Sequence, residues 1–157
     1  MKLIRLWIVL FIITNLFACK KDDSASNGIY GIWFKDNEWG NDPTDLTYHE
    51  VYEFSLDGKL VIKGSIIDKS KNKIYGYLSM QTGTFSLNSD SLIFENMKFY
   101  SSGVAEYKPL NELQYVNTYS RMPYKPVFSQ DELMLTLQFN CPPLANCGPH
   151  PKLTRVK

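Results

Sequence analysis

The chain has little of the material from which metal sites and acid–base catalysts are built, with two histidines and three cysteines in 157 residues. Its formal net charge is only +1, whereas a nucleic-acid-binding protein needs a strongly basic face. No segment after the N-terminal run keeps a 3.6-residue apolar period over several turns, which argues against long amphipathic helices. The chain is instead rich in apolar residues, at 44%, and in aromatics, with 10 Tyr and 9 Phe. This apolar share can fill a core and excludes a wholly disordered chain.

The longest apolar run lies at the N-terminus and has the layout of an export signal. Lys2 and Arg5 precede an apolar stretch at residues 6–17, which is shorter than the roughly 20 residues of a bilayer-spanning helix. A short basic segment followed by a short apolar segment is typical of a secretory signal peptide. We therefore predict that residues 1–18 are removed. The loss of Lys2 and Arg5 changes the formal net charge from +1 to −1.

The junction after this segment resembles two signals of bacterial lipoproteins. Residues 16–19 (LFAC) resemble the lipobox, which implies cleavage before Cys19 and acylation of Cys19. Several acyl chains anchor a protein stably, whereas one chain does not. Residues 20–23 (KKDD) resemble the surface-export signal of Bacteroidetes lipoproteins, which implies display on the outer membrane at the cell surface. The alternative is a polar tether on the periplasmic face, and in either case residues 19–27 form the lipidated cysteine and a flexible linker.

The remaining residues, 28–157, have the alternation and the turn signals of an all-β domain. Leu46, Tyr48, Tyr52 and Phe54 share one face of a strand, and Asp57-Gly58 after it is a type I′ hairpin signal. We predict strands at 28–35, 46–56, 59–67, 74–80, 83–87, 92–100, 131–140 and 153–156, with a loop at 36–45. At least one more strand lies between 101 and 128, where Pro109, Pro123 and Pro126 interrupt the pattern. About eight strands with short turns predict an antiparallel up-and-down barrel or, alternatively, a β-sandwich.

Several short segments of this domain resemble lipocalins and small bacterial lipocalin-like lipoproteins. They are Gly31-Ile32-Trp33, the hairpin at 54–60 (FSLDGKL), residues 83–85 followed by 90–92, and the final strands at 133–135 and 153–155. The resemblance implies one lipocalin-like barrel over residues 28–157. It also implies that Trp33 packs across one barrel end against Arg155, as the early Trp and late Arg of lipocalins do.

Cys141 and Cys147 are six residues apart near the C-terminus. An exported protein meets an oxidising compartment, and lipidation of Cys19 leaves an even pair, so we predict a disulfide between them. Closing so short a loop stabilises by about 2 kcal/mol in the chain-entropy model. The alternative is a metal site of Cys141, Cys147 and His150, but structural zinc usually takes four ligands with tighter cysteine spacing.

The sequence offers few candidates for catalysis. His49 lies beside Glu50 and near Glu53, a combination that can do acid–base chemistry but more often belongs to a solvated strand face. We find no glycine-rich phosphate loop and no nucleophile-elbow serine. We therefore expect a non-catalytic monomer with no cofactor, no metal and no nucleic-acid partner.

Aromatic residues of the predicted strands are the candidate ligand contacts. An eight-stranded barrel holds one small ligand or is filled by its own side chains. The sequence thus predicts a lipid-anchored envelope protein that binds a small apolar or amphipathic ligand through Tyr48, Tyr52, Phe54, Tyr75, Tyr77 and Phe85. The alternative is a surface module that binds glycan or protein through the disulfide loop and through Trp39, Tyr119 and Tyr124. Tyrosine is also simply a good strand residue with a polar tip.

Overall fold

The computed structural model describes residues 28–38, 46–88, 90–103, 106–142 and 147–157. The predicted signal peptide (1–18), the tether (19–27) and Trp39 lie outside the described residues. Eight antiparallel strands pair in chain order and close into a barrel, which confirms the predicted all-β, up-and-down architecture. The strands are β1 (Gly31–Glu38), β2 (Leu46–Phe54), β3 (Lys59–Asp68), β4 (Lys73–Asn88), β5 (Ser91–Ser101), β6 (Gln114–Phe128), β7 (Met134–Gln138) and β8 (Lys152–Arg155).

Two strand predictions are wrong at their boundaries. The strands expected at 74–80 and 83–87 are one 16-residue strand, β4. Strand β4 continues past the expected break because a bulge around Gly83 shifts its register against β5 between Thr82 and Thr84. A Cβ atom at Gly83 would lie 2.7 Å from the backbone oxygen of Glu95, so only glycine fits there. The predicted loop at 36–45 begins later, because β1 stays paired with β2 as far as Glu38.

Strand β6 runs straight through Pro123 and Pro126, where the sequence predicts an interruption. Up to Tyr124 it pairs with β5, and from Lys125 onward it pairs with β7. Each proline therefore has a neighbouring strand on one side only, which is where sheets tolerate a residue without an N–H donor. We call residues 121–125, around this change of partner, the β6 corner. In the described part of the chain, no strand pairs with the other edge of residues 114–124.

Apolar side chains fill the part of the barrel that β7 and β8 enclose, which we call the closed end. Trp33 donates its indole N–H to the Ile29 oxygen at 2.8 Å. The Arg155 guanidinium lies 5.0 Å from the Trp33 ring centroid and donates to the Tyr30 oxygen at 2.8 Å. The Trp33–Arg155 contact that the lipocalin resemblance implies is therefore present. The largest fully buried side chains are Trp33, Phe94, Ile29, Leu60, Leu92, Met97, Leu135, Leu137 and Leu153.

Candidate functional site

A polar cluster lies on the interior face of the barrel beside the packed core. The Glu50 carboxylate accepts hydrogen bonds from the hydroxyls of Tyr48 at 3.1 Å and Tyr52 at 3.3 Å. The Lys35 ammonium lies 2.8 Å from the same carboxylate. We call Lys35, Tyr48, Glu50 and Tyr52 the polar cluster. A largely buried carboxylate is tolerated when it is paired and hydrogen-bonded in this way.

The two tyrosines of the polar cluster are held in their neutral form. Burial raises the pKa of the Tyr52 hydroxyl above its ordinary value, and the nearby Glu50 charge adds to the effect. The same two causes raise the pKa of Tyr48 to about 12. Removal from water and a neighbouring negative charge both disfavour a tyrosinate. Both hydroxyls therefore serve as donors to Glu50.

His49 and Glu50 are adjacent in sequence but lie on opposite faces of β2. His49 Nδ1 lies 2.6 Å from the Asp36 carboxylate on the outside of the barrel, and Lys69 lies 3.0 Å from the same carboxylate. Partial burial opposes ionisation of Asp36, but the hydrogen bonds to His49 and Lys69 lower its pKa. The acid–base combination of His49 with Glu50, considered from the sequence as the less common interpretation, is therefore not formed. Strict alternation from Tyr48 to Tyr52 is the signal that would have placed Glu50 inside.

The structure brings together some of the six aromatics proposed as ligand contacts. Tyr52, Phe54 and Phe85 are buried in the core cluster, where the Phe54 and Phe85 rings meet edge-on at 5.1 Å. Tyr48 is half-buried at the polar cluster. These four side chains pack against protein, so they contribute to a filled interior.

Tyr75 and Tyr77 lie elsewhere. Tyr75 is exposed, contacts the Tyr107 ring at 6.2 Å and donates to Asp68 at 3.4 Å. Tyr77 pairs with Ser65 across β3 and β4. The next pair along these strands, Ile66 with Gly76, faces the interior. Alternation therefore places Tyr77 on the outer face of the sheet.

A cavity of about 580 Å³ opens at the β6 corner. It forms where β7 begins to pair with β6 only at Lys125, so the wall beside residues 121–124 is left without a strand. Tyr124 connects the cavity to the core, because its ring lies 4.7 Å from Phe94 and 6.3 Å from Phe139. The lining residues are Ser91, Arg121, Met122, Pro123, Tyr124, Lys125, Gln138, Phe139, Asn140 and His150.

The predicted disulfide between Cys141 and Cys147 is present, with the Cα atoms 6.0 Å apart. Asn140 precedes the first cysteine and His150 follows the second, and both line the cavity. The bond therefore ties together the two segments that form one side of the cavity. The sequence marked the cysteine pair and Tyr124 separately, but only the fold shows that Asn140 and His150, which flank the disulfide, border the same space as Tyr124. Tyr119, the other proposed surface aromatic, is exposed on β6.

The residues described in the structure contain no group of three or more His, Cys, Asp or Glu placed to hold a metal ion. They also contain no helix with the length and apolarity to cross a bilayer. Protein-family models, curated protein sequences and solved structures give no match to this chain. Proposals about function therefore rest on the fold, the polar cluster and the cavity.

Proposed function

We propose that this chain is a lipid-anchored, non-catalytic protein of the bacterial cell envelope that binds a small amphipathic ligand in the cavity at the β6 corner. The cavity is the observation that carries the proposal. Its volume of about 580 Å³ falls within the roughly 300–1,000 Å³ of small-molecule sites. Met122, Pro123, Tyr124 and Phe139 offer apolar surface, and the remaining side chains offer hydrogen bonds. This mixture of apolar walls and a few polar groups is typical of such sites.

The packing of the barrel favours this cavity over the interior as the binding place. Trp33, Leu60 and Phe94 at the closed end are completely or almost completely buried. Protein interiors are close-packed, so a ligand there would have to displace these side chains. At the β6 corner no displacement is needed.

The titratable groups of the barrel support a binding role over a catalytic one. Glu50 is bound by Lys35 and two tyrosine hydroxyls, and His49 is bound to Asp36 on the outer face. Neither residue lines the cavity. A general acid or base must reach the proton it transfers, and these two groups are already engaged away from the cavity.

Envelope location is supported by the sequence and by the disulfide. The lipobox-like residues 16–19 and the polar residues 20–23 resemble the signals of surface lipoproteins. A disulfide between Cys141 and Cys147 suits an oxidising compartment outside the cytoplasm. The proposed order along the chain is a signal peptide (1–18), lipidated Cys19 with its tether (19–27), and the barrel with its binding cavity (28–157). We propose the outer membrane with display at the cell surface, and the periplasmic face is the alternative.

The test is native mass spectrometry of the full chain, expressed in a Gram-negative host and extracted from membranes with a mild detergent. We expect a chain that begins at an acylated Cys19 and carries a small bound molecule. Ser91→Trp should remove the bound molecule, because it places a large side chain in the cavity. Ser55→Trp, in the exposed turn after β2, is the matched control and should retain it. An unacylated chain would contradict the anchor, and a bound molecule that survives Ser91→Trp would contradict the site.

A surface interaction module is the second candidate, favoured by exposed tyrosines on the outer face and at strand ends. The Tyr75 and Tyr107 rings lie 6.2 Å apart, and the Tyr100 and Tyr115 rings lie 5.9 Å apart. Tyr107 and Tyr115 are 48% and 58% exposed. Exposed aromatic rings can stack on glycans or anchor a protein partner. This function requires the tyrosines and the disulfide loop, and Ser91→Trp should leave it intact.

A further inference from the structure

We infer that the ligand of the β6-corner cavity is an amphipathic anion, with an apolar or aromatic body and a carboxylate, sulfonate or phosphate group. The inference rests on the proposed binding function and adds the chemical class of the ligand. It is carried by the charge, the hydrogen-bond donors and the aromatic wall of the cavity.

The cavity has two basic side chains without an acidic partner. Arg121 and Lys125 lie on β6 at positions four apart, so alternation places them on the same face of the strand. Neither makes a salt bridge with any residue that the structure describes. Glu95 is the cross-strand neighbour of Arg121 in β5, but it forms no ion pair with it, and Lys125 faces the neutral Gln138. Two cations that form no ion pair with a described residue, beside a concave surface, favour an anionic ligand.

The polar side chains around these cations can all donate hydrogen bonds, and none of the described lining residues is acidic. His150 Nδ1 lies 3.4 Å from the Phe139 backbone nitrogen and accepts its N–H. The other ring nitrogen of a neutral His150 then carries the proton and can donate. The Ser91 hydroxyl and the amides of Gln138 and Asn140 add further donors. Anionic oxygens accept such bonds more strongly than neutral ones do.

An aromatic wall separates the cavity from the core and accounts for the apolar part of the ligand. The Phe139 ring lies 6.3 Å from Tyr124 and 4.8 Å from His150, edge-on in both cases. Burial raises the pKa of Tyr124 above its ordinary value, so this residue adds no negative charge near neutral pH. A free inorganic anion would leave this wall without a partner, whereas an amphipathic anion covers both kinds of surface.

The test compares two probes that differ in charge but share one skeleton, naphthalene-1-carboxylate and naphthalene-1-carboxamide. Equilibrium dialysis of the mature full chain in detergent micelles, with protein-free micelles as the blank, gives both dissociation constants. We expect the carboxylate to bind at least about 10-fold more tightly, as charge-assisted hydrogen bonds allow. Arg121→Gln combined with Lys125→Gln should remove this difference, because the variant keeps hydrogen-bonding side chains at both positions but no positive charge. Lys98→Gln combined with Lys157→Gln removes two charges outside the cavity and should preserve the difference.

The outcomes separate this inference from the proposed function. Equal binding of both probes, abolished by Ser91→Trp, would overturn the anionic ligand and leave the cavity as a binding site. A carboxylate preference that survives Arg121→Gln with Lys125→Gln would likewise overturn it. Failure of both probes to bind would contradict both proposals. Arg121 and Lys125 are exposed, so we expect the double variant to fold, and its melting curve checks this.

Discussion

Gly64 makes the polar cluster possible by having no side chain. It pairs with Glu50 across β2 and β3, and the Tyr48 hydroxyl and Ser79 Oγ occupy the space where its Cβ would lie. Alternation along β3 places Leu60, Ile62 and Ile66 on the interior face and leaves a gap at position 64. Glu50 on β2 and Gly64 opposite it on β3 thus depend on each other, because the missing side chain of Gly64 leaves room for the tyrosine hydroxyl that Glu50 binds.

Gly64→Ala should lower the free energy of unfolding. The new Cβ would lie 2.6 Å from Ser79 Oγ and closer still to the Tyr48 hydroxyl. Overpacking of this kind costs about 1–3 kcal/mol, which exceeds the gain of about 0.4–1 kcal/mol from a stiffer unfolded chain. Gly148→Ala is the control, because nothing lies within 4 Å of its added Cβ. Urea titrations of both variants measure the difference, and equal stability of the two would contradict the role of Gly64.

At the scale of single residues, the sequence predicts which side chains of β2 face the interior of the barrel. The alternation of β2 correctly places Tyr48, Tyr52 and Phe54 inside, and by the same rule it places Glu50 with them. The tyrosine hydroxyls that donate to Glu50 come from its own strand, but its ion pair with Lys35 of β1 and the contact of Ser79 of β4 with the Tyr48 hydroxyl could not be predicted. Lys35 and Ser79 are far from Glu50 in the chain, and only strand pairing brings them near.

Among the elements, β6 shows how a strand can be continuous while its partners change. Pro123 and Pro126 lie on either side of the change from β5 to β7. The rule that proline avoids ladders concerns strands paired on both sides, and a sequence does not show which side of a strand is free. The strand expected between 101 and 128 is present as β6, but the expected interruption at Pro123 and Pro126 was wrong for this reason.

Pro123→Val should increase self-association with little loss of stability. Residue 123 is exposed and has no strand on its β7 side, so the folded state should change by less than about 1 kcal/mol. An edge strand without proline offers more unpaired backbone groups to another chain. Sedimentation velocity over a range of concentrations should show dimers or larger species for Pro123→Val. Pro109→Val is the control, because Pro109 lies outside the strands, just before a short 3-10 turn at Leu110–Glu112. Identical sedimentation of the two variants would contradict the protective role of Pro123.

In the molecule as a whole, the interior tyrosines make the free energy of unfolding fall at alkaline pH. Tyr52 has a folded-state pKa above its unfolded value of about 10. Below that pH both states are protonated, and the stabilisation is fully present. As the pH rises further, the unfolded state loses the proton first, so the free energy of unfolding falls.

Tyr52→Phe should therefore flatten the loss of stability at high pH. Above about pH 10 the wild-type chain should lose stability more steeply than the variant, by up to about 1.4 kcal/mol per pH unit, which is the largest slope that one tyrosine can contribute. Chemical denaturation at several pH values in this range measures both slopes. Parallel slopes would show that Tyr52 ionises equally well in the folded chain.

The overall architecture was predictable because it follows from local signals. Short turns such as the one at residues 55–58 join neighbouring strands in chain order, and an alternating apolar face must be covered. Asp57-Gly58 does mark this turn, but only Gly58 has a positive φ, so the predicted type I′ geometry was wrong. The cavity was not predictable, because it depends on the short length of β7 relative to β6, five residues against 15. No local pattern in the sequence of β6 or β7 indicates where the pairing between these two strands ends.

The closed end also determines how the barrel responds to mechanical load. The described chain begins at Gly28, whose neighbours Ile29 and Tyr30 are bound by Trp33 and Arg155. A force applied to the residues before Gly28 therefore acts first on the buried side chains of the closed end. Beyond that point β1 is paired with β2 along its whole length from Gly31 to Glu38. If the proposed lipid anchor is present, traction from the membrane is resisted at the closed end, before it can reach the β6 corner.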